Sequence, residues 1–404
     1  MNVLKKALLP AFFLTGASVC PAALEADFIT SRGTVTVALE YTKAPKAVAS
    51  LLTLSQGTRS WFESADGSVR REPFFETLPF DRVVNANEEK LAEMGAPDPG
   101  YQFQDEFDGT LTHEPYVLAM ANDGPNTNGA RLAFTGSAAL PARDGANTVF
   151  GKIAAGTSRT VVDGIIAAGA GATTITSVVI RRTDPGAMAF DEFAVALPQV
   201  QAVNGPLQVI PGSQVNLLLQ QPKVSVLRAT AGADLVSWQA RFRRFLGIDD
   251  AAAGASVTID SADLAKQFYQ ISLARYPDVP VAGGPKGLAN RTLTLTGEGA
   301  GELVYHFNAT GLAGTYENIL FPGDPPFFAG SFQVRNEIPA VFNPYAFRVL
   351  LQVQGMPSTP FHLIRGGVDG VNPGSVTGHH RVMFQETAGQ NGFEDRGAMV
   401  LTRP

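Results

Sequence analysis

The sequence predicts a mostly β protein that contains two or three domains. Its 404 residues exceed the roughly 250 to 300 residues that one hydrophobic core serves. Glycine and proline are frequent, at 41 and 27 residues, and turn-forming residues recur between short apolar runs. Charged residues make up only 17% of the chain, which excludes a disordered protein. The expected order is a β-rich domain with two helices, a small β-sandwich-like module, and a C-terminal antiparallel β-barrel or sandwich.

Residues 1–26 predict a secretory signal peptide. Lys5 and Lys6 precede an apolar run from Ala7 to Val19, and small residues follow it. The run is about 13 residues long, which is too short to span a membrane. We therefore expect an exported, non-transmembrane protein that is periplasmic, extracellular or on the bacterial cell surface.

The only cysteine, Cys20, lies within this segment. Cleavage after Ala22, Ala23 or Ala26 would remove it and leave a mature chain without thiols. Two alternatives remain open. The first is a lipoprotein attached through Cys20, which the bulky preceding residue disfavours. The second is a buried N-terminal helix, which Pro10 disfavours.

A strand and a helix are predicted after the signal peptide. Within residues 27–41, Val35, Val37 and Leu39 alternate with small or polar residues, as in a half-buried strand that follows a turn at Arg32-Gly33. The helix has proline at its start, apolar residues three and four apart, and glycine after its end: Pro45, Val48, Leu51, Leu52 and Gly57.

The densest turn signals of the chain lie between Tyr116 and Lys152. Gly124-Pro125, Asn128-Gly129 and Asp144-Gly145 mark turns, with apolar runs of strand length between them. This pattern predicts a compact, loop-rich β unit.

The same stretch carries a resemblance to a known family. Residues 120–122, 124–129, 144–145 and 149–151 read M-A-N, G-P-N-T-N-G, D-G and V-F-G in one register. The chain thus resembles the cyclophilin-type peptidyl-prolyl isomerases, whose signature is roughly L-S-M-A-N-x-G-P-N-T-N-G-S-Q-F-F-I-T, then W-L-D-G-x-x-V-F-G. Residues 72–84 and 99–107 also resemble family motifs, and the likeness covers about residues 27–183. The resemblance implies that these residues form a closed β-barrel with two capping helices.

The resemblance implies an enzyme that rotates X-Pro peptide bonds. That rotation faces a barrier of about 18 to 20 kcal/mol, because the amide nitrogen's lone pair is delocalised into the carbonyl. A cationic donor aimed at the nitrogen favours the twisted amide, so neither a metal nor a cofactor is required. The family's arginine in F-H-R aligns with Arg82, which is the predicted catalytic residue.

The resemblance also implies a set of substrate-binding residues. These are Phe80, Met120, Ala121, Asn122, Arg131, Phe134, Ala142, Arg143 and Asn147. Several depart from the family: a Gln is replaced by Arg131, a Trp by Ala142, a Leu by Arg143 and a His by Asn147. The aromatic residue of the proline pocket aligns with Ala133, or with Phe134 if one residue is inserted.

A family loop that supplies an aromatic residue, a Met and a Gln is replaced by residues 85–95. We therefore expect a wider and more cationic site that grips a proline ring poorly. The expected consequences are weak turnover on neutral prolyl peptides, poor binding of cyclosporin, and a preference for acidic residues beside the proline. A non-catalytic cyclophilin-fold protein that binds peptides or partners is the alternative.

Residues 184–203 predict a linker, because they contain two prolines and no sustained apolar period. Residues 204–282 predict a small β module, in which only Trp238 to Leu246 has a pattern that could be helical. Residues 288–404 contain about eight alternating segments with turn signals between them, which predicts an antiparallel barrel or sandwich.

Other signals predict no further chemistry. The net charge of −6 includes no basic footprint for nucleic acid. Gly164 to Gly171 is interpreted as a loop, and His362, His379 and His380 as scattered barrel residues rather than a metal site. The expected partners are proline-containing peptides or unfolded exported proteins, with surface or glycan contact through the C-terminal β modules.

Overall fold

The computed structural model describes fifteen ranges of the chain. They are residues 24–95, 98–203, 207–210, 214–219, 225–233, 235–246, 255–260, 268–277, 288–297, 301–319, 328–336, 345–354, 361–372, 375–386 and 392–402. Most of the predicted signal peptide, with Cys20, lies outside these ranges. Leu24 and Ala26 are buried in the first strand, so cleavage after Ala22 or Ala23 would leave that strand whole.

The first part of the chain contains ten strands and two long helices. In order they are β1 (Leu24–Thr30), β2 (Gly33–Leu39), α1 (Pro45–Ser55), β3 (Trp61–Phe62), β4 (Val69–Arg70), β5 (Arg82–Asn85), β6 (Lys90–Met94), β7 (Val117–Met120), β8 (Leu132–Thr135), β9 (Val149–Ile153), α2 (Thr157–Ala168) and β10 (Ile175–Arg182). The strand predicted after the turn at Arg32-Gly33 is β2, which forms a hairpin with β1, and α1 begins at Pro45 as predicted. Gly164 lies inside α2, so the prediction of a loop from Gly164 was wrong at that end.

Eight of these strands form one antiparallel sheet in the order β10-β1-β2-β9-β7-β8-β6-β5. The segment before β5 returns to the other edge of the sheet: Phe80 N–H donates to the Thr173 carbonyl at 3.0 Å, and Gly171 N–H donates to the Phe80 carbonyl at 2.7 Å. These bonds bring the two edges of the sheet together. The inner face packs with α1 and α2 around a large apolar core.

A small β module follows. It begins after a short helix, α3 (Pro185–Ala189), and contains β11 (Gln199–Ala202), β12 (Leu207–Ile210), β13 (Gln214–Leu219), β14 (Ser225–Gly232), β15 (Gln239–Leu246), β16 (Ala255–Asp260) and β17 (Phe268–Arg275). One sheet has the order β11-β17-β14-β15 and the other β12-β13-β16. The helical interpretation of Trp238 to Leu246 was wrong. This segment pairs along β14 as a strand, because tertiary pairing outweighs a weak local preference.

Eight strands then form a closed antiparallel barrel. They are β18 (Thr292–Gly297), β19 (Glu302–Phe307), β20 (Ala313–Ile319), β21 (Phe328–Asn336), β22 (Ala346–Gln354), β23 (Phe361–Asn372), β24 (Ser375–Gln385) and β25 (Phe393–Thr402). β18 pairs with β25, which closes the barrel. The mostly β fold class, with a C-terminal barrel, is confirmed. No helix within the described ranges is long and apolar enough to cross a membrane.

The segment 184–203, predicted to be a linker, packs against the protein. Ala187, Leu197 and Val200 are buried in the first core, together with residues of the small module and Tyr345 of the barrel. The guanidinium of Arg228, from β14, also donates a 2.7 Å hydrogen bond to the Gly100 carbonyl. The three parts therefore share contacts, and the predicted domain boundaries stay a prediction.

Candidate active site

Arg82 projects from β5 beside a buried carboxylate. Its Nη1 lies 2.6 Å from Oε1 of Glu93, which the neighbouring strand β6 presents directly opposite. The Arg82 side chain is 47% exposed, whereas that of Glu93 is 5% exposed. The predicted catalytic cation is thus accessible to a substrate and is held by an acidic group from below.

Glu93 also forms ion pairs with two further arginines. Arg131 Nη2 lies 3.3 Å from Oε2 of Glu93, and Arg143 Nη1 lies 3.5 Å from its Oε1. Glu93 was not predicted as a site residue, although it falls in the segment 85–95 that replaces a Gln-bearing loop of the family. One buried carboxylate thus contacts the guanidiniums of all three arginines.

Seven predicted site residues line one cavity of about 450 Å³: Arg82, Ala121, Asn122, Arg131, Ala142, Arg143 and Asn147. Its apolar part is small. Ala121 packs with Leu91, Ala133 and Leu140, each at most 6% exposed. No aromatic side chain is among the described residues that line the cavity.

The other three predicted residues, Phe80, Met120 and Phe134, lie in the core. The ring of Phe134 packs edge-on against Phe28 at 5.0 Å and against Phe80 at 5.4 Å. Ala133 is paired with Glu93 across β6 and β8, and directly opposite residues share a face of a sheet. The structure therefore places Ala133, rather than Phe134, on the side of the cavity.

Amide side chains hold the wall of the cavity in place. Asn122 Nδ2 donates to the Ala146 carbonyl at 3.0 Å and to Asp105 Oδ1 at 3.1 Å. Asn147 Nδ2 in turn donates to Asn122 Oδ1 at 3.2 Å. These bonds fix Asn122 against a loop that belongs to the same domain.

The C-terminal barrel supplies the opposite wall. Arg365 from β23, Arg381 from β24 and Arg396 from β25 line the same cavity. Arg396 Nη1 donates a 2.7 Å hydrogen bond to the Ala142 carbonyl, which joins the two walls. This contribution of the barrel was not predicted from the sequence, since nothing in the local pattern shows how two distant segments pack.

The barrel also rests on the turn at Asn126. Asn126 is fully buried, and its Nδ2 lies 3.1 Å from the Val368 carbonyl and 3.2 Å from that of Tyr345. Nearby, His379 from β24 bridges two carboxylates, with Nε2 at 3.1 Å from Asp105 and Nδ1 at 2.7 Å from Asp369. Turn residues of the family signature therefore form a contact with the barrel.

The charge of His379 follows from this bridge. Burial opposes protonation of the imidazole, but the hydrogen bonds to Asp105 and Asp369 outweigh burial and raise its pKa to about 9. The imidazolium is therefore the form present at neutral pH. It ties the barrel to the first domain through Asp105, while Asp369 of the barrel holds its other nitrogen.

His362, His379 and His380 do not form a common site. His362 is buried and faces the Tyr305 hydroxyl at 2.7 Å, whereas the Nδ1 of His380 is 3.0 Å from the Ala398 carbonyl. Within the described ranges, no group of three or more His, Cys, Asp or Glu side chains is arranged to hold a metal ion.

Comparison with known proteins agrees with the fold and the motif. Residues 26–184 match the family profile described as cyclophilin type peptidyl-prolyl cis-trans isomerase/CLD. The probable peptidyl-prolyl cis-trans isomerase A of Mycobacterium leprae is 35% identical over 163 residues, which are 39% of this chain and 84% of the relative. Peptidyl-prolyl cis-trans isomerase B of Streptomyces anulatus is 34% identical over 151 residues, which are 36% of this chain and 84% of the relative.

The chain is also similar to a solved structure of a cyclophilin-type isomerase from Cryptosporidium parvum. The identity is 21%, the TM-score is 0.32, and the match covers 40% of this chain and 99% of the other. From the curated relatives, residues 26–184 are a cyclophilin-type isomerase domain. The chain belongs to the cyclophilin family of peptidyl-prolyl cis-trans isomerases.

Proposed function

We propose that the cyclophilin domain catalyses cis-trans isomerisation of X-Pro bonds at the cavity lined by Arg82. The observation that supports this most directly is an exposed guanidinium that shares one cavity with a small apolar surface formed by Ala121 and Ala142. A proline ring on that surface would present its amide nitrogen to the arginine. Donation to the nitrogen stabilises the twisted amide more than the planar one, which lowers the barrier.

The same geometry supports low turnover. Glu93 competes with the substrate for Arg82, because their side chains are already paired at 2.6 Å. Ala133 and Ala142 offer little apolar area where the family has aromatic residues, and burial is worth about 25 cal/mol per Å² of apolar surface. We therefore expect slow exchange on short neutral peptides and poor binding of cyclosporin.

The test is NMR exchange spectroscopy of a neutral Ala-Pro peptide with the full chain. We expect measurable catalysed exchange, and we expect Arg82→Ala to lower its rate at least about ten-fold, or on the order of 1.4 kcal/mol of transition-state stabilisation. Arg348→Ala, at an exposed barrel position outside the cavity, is the matched control. If the wild type catalyses no exchange yet binds the peptide, the domain is a non-catalytic peptide-binding module.

We also propose that the protein is exported and acts on extracytoplasmic chains. The support is the charged start, apolar run and small residues of segment 1–26. Fractionation with N-terminal sequencing tests this: a mature chain that begins near Leu24 outside the cytoplasm is expected, and an uncleaved cytoplasmic chain would exclude it. Surface or glycan contact through the β modules stays a prediction, and binding to washed cell envelopes would test it.

A further inference from the structure

Four arginines lie side by side on the outside of the barrel. Arg348 pairs with Arg365 across β22 and β23, Arg365 with Arg381 across β23 and β24, and Arg381 with Arg396 across β24 and β25. We call these four residues the arginine row. Like charges directly opposite each other destabilise a sheet, so the row costs stability. Such an arrangement is expected where an anion offsets the repulsion.

Three members of the row face the cyclophilin site. Arg365, Arg381 and Arg396 line the cavity whose other wall contains Arg82, Arg131 and Arg143. Arg348, at the end of the row, is exposed and is not among the cavity residues. The row thus extends the cationic surface of the active site across the junction between the domain and the barrel.

The carboxylates near the cavity do not neutralise it. Glu93 forms ion pairs with three arginines. Asp123 lies 3.6 Å from Arg131, and Glu89 lies 2.7 Å from Arg143. Glu394 lies 2.6 Å from Arg381 and 2.7 Å from Arg396. Among the described residues, six guanidiniums therefore face four carboxylates, which leaves an excess of two positive charges.

Arg365 contributes most clearly to this excess of positive charge. In the described part of the chain no carboxylate lies within ion-pair distance of it, and its buried Nε has no hydrogen-bond partner. Burial, together with the nearby Arg348 and Arg381, lowers the pKa of Arg365. Its stem packs on the turn of the family signature, where a side chain at Gly124 would come within 2.8 Å of its Cδ. An unpaired, half-buried cation of this kind is stabilised by a bound anion.

We infer that Arg365, Arg381 and Arg396, the three members of the arginine row that line the cavity, are the second wall of the substrate site, and that they bind the carboxylates of acidic residues next to the prolyl bond. The size fits, since about 450 Å³ lies within the range of peptide and ligand pockets. The adjoining cavity of about 740 Å³ contains Asp144, Asp369, Glu394 and Asp395, so an acidic side chain is favoured only at the arginine end. This inference rests on the proposed function for the proline but adds the barrel as the element that determines sequence preference.

Two fluorescent peptides test the inference, with either Glu or Lys on both sides of the same proline. We expect the full-length protein to bind the Glu peptide at least about ten-fold more tightly than the Lys peptide at low ionic strength, measured by fluorescence anisotropy. Arg365→Gln should weaken binding of the Glu peptide about five-fold or more. Arg365→Lys, which keeps the charge, should restore most of that affinity.

Arg348→Gln is the matched control, because it removes one charge from the same row outside the cavity. We expect its affinity for the Glu peptide to stay within about two-fold of wild type. Equal losses in Arg365→Gln and Arg348→Gln would overturn the inference, since only the overall field of the barrel would then matter. So would equal affinities for the two peptides, or displacement of the Glu peptide by inorganic phosphate at the same concentration as by unlabelled peptide.

The proposed function and this inference fail in different measurements. If exchange of the neutral Ala-Pro peptide is catalysed but Arg365→Gln behaves as Arg348→Gln does, the barrel inference fails and the isomerase stands. If the Glu peptide binds with the expected dependence on Arg365 but no exchange is catalysed, the isomerase fails and the two-walled peptide site stands. Thermal melts of each variant verify that its fold is retained; Arg365→Gln breaks no ion pair among the described residues.

Discussion

The two faces of the short strands β6 to β8 carry different kinds of side chain. On the inner face, Met120 and Phe134 are large, apolar and almost completely buried. On the outer face lie Glu93, in the segment that replaces a Gln-bearing loop of the family, and Ala133, where the resemblance implies an aromatic residue. The same strands therefore keep the interior of the fold while their outer surface has been rebuilt. Because side chains alternate along a strand, the two faces can change independently.

The two faces also pack against different kinds of surface. The inner face packs against the apolar core of its own domain, and burial of that kind depends little on pH or salt. The outer face meets the barrel through arginines, carboxylates and the bridging His379. Apolar packing on the inner face therefore stabilises the domain, whereas the contacts of the outer face depend on the charges of its side chains.

The largest expected effect is on the inner face. Phe134→Ala should lower the free energy of unfolding by about 3 to 5 kcal/mol, because it removes a fully buried ring in contact with Phe28 and Phe80. Urea denaturation of the full chain measures this. The outer-face control is Arg131→Gln, whose side chain is 36% exposed and which should cost less than about 1 kcal/mol. Similar losses for both variants would contradict the distinction between the faces.

The second effect is a dependence of barrel docking on pH. The pKa of His379 in the folded protein, about 9, exceeds its ordinary value of 6.5, so proton binding favours the docked form. This stabilisation should be complete below about pH 6.5 and should be lost as the pH rises through about 9. Its upper bound is about 3 kcal/mol. Urea denaturation at about pH 6.5 and about pH 10 measures the change.

Other groups at this contact require a control. Lys46 interacts electrostatically with Asp369, and burial lowers the pKa of Lys46, so it also titrates at high pH. His380 beside His379 has a pKa that burial lowers, which keeps it neutral across this window. His379→Gln should therefore remove most of the difference between the two pH values. A difference of the same size in that variant would show that His379 does not stabilise the docking.

The smallest expected effect is on catalysis at the outer face. Glu93→Gln should raise the exchange rate of a neutral Ala-Pro peptide about three- to ten-fold, because it releases Arg82 from its 2.6 Å ion pair. NMR exchange spectroscopy measures the rate. Glu89→Gln is the control: it removes the same charge from a residue that contacts Arg143 but is not among the cavity residues. A slower Glu93→Gln enzyme would instead show that Glu93 positions Arg82 for the reaction.

Much of the fold could be predicted from the sequence because its signals are local. The turns at Gly124-Pro125 and Asp144-Gly145, the proline at the start of α1 and the alternation of β2 each depend on a few neighbouring residues. The helical interpretation of Trp238 to Leu246 failed for the converse reason. Its strand depends on pairing with β14, which no local pattern reveals.

Prediction of the site residues from the sequence was limited in the same way. The alignment placed Arg82, Asn122 and Asn147 near one another, and the structure brings them to one cavity. It left the choice between Ala133 and Phe134 open, because one residue of register exchanges the two faces of a strand. It also overlooked Glu93, one of three glutamates in the segment that replaces a Gln-bearing loop.

The sequence by itself determined the mostly β class, the cyclophilin family and the position of Arg82, since these depend on patterns within short segments. The tertiary structure decided which residues surround that arginine. Arg365, Arg381 and Arg396 are 15 to 16 residues apart along the chain, and only strand register sets them side by side. Only the packing of the barrel on Asn126 brings them to the cavity. Charges far apart in sequence act together only when folding places them within a few ångströms, and that distance is a property of the whole molecule.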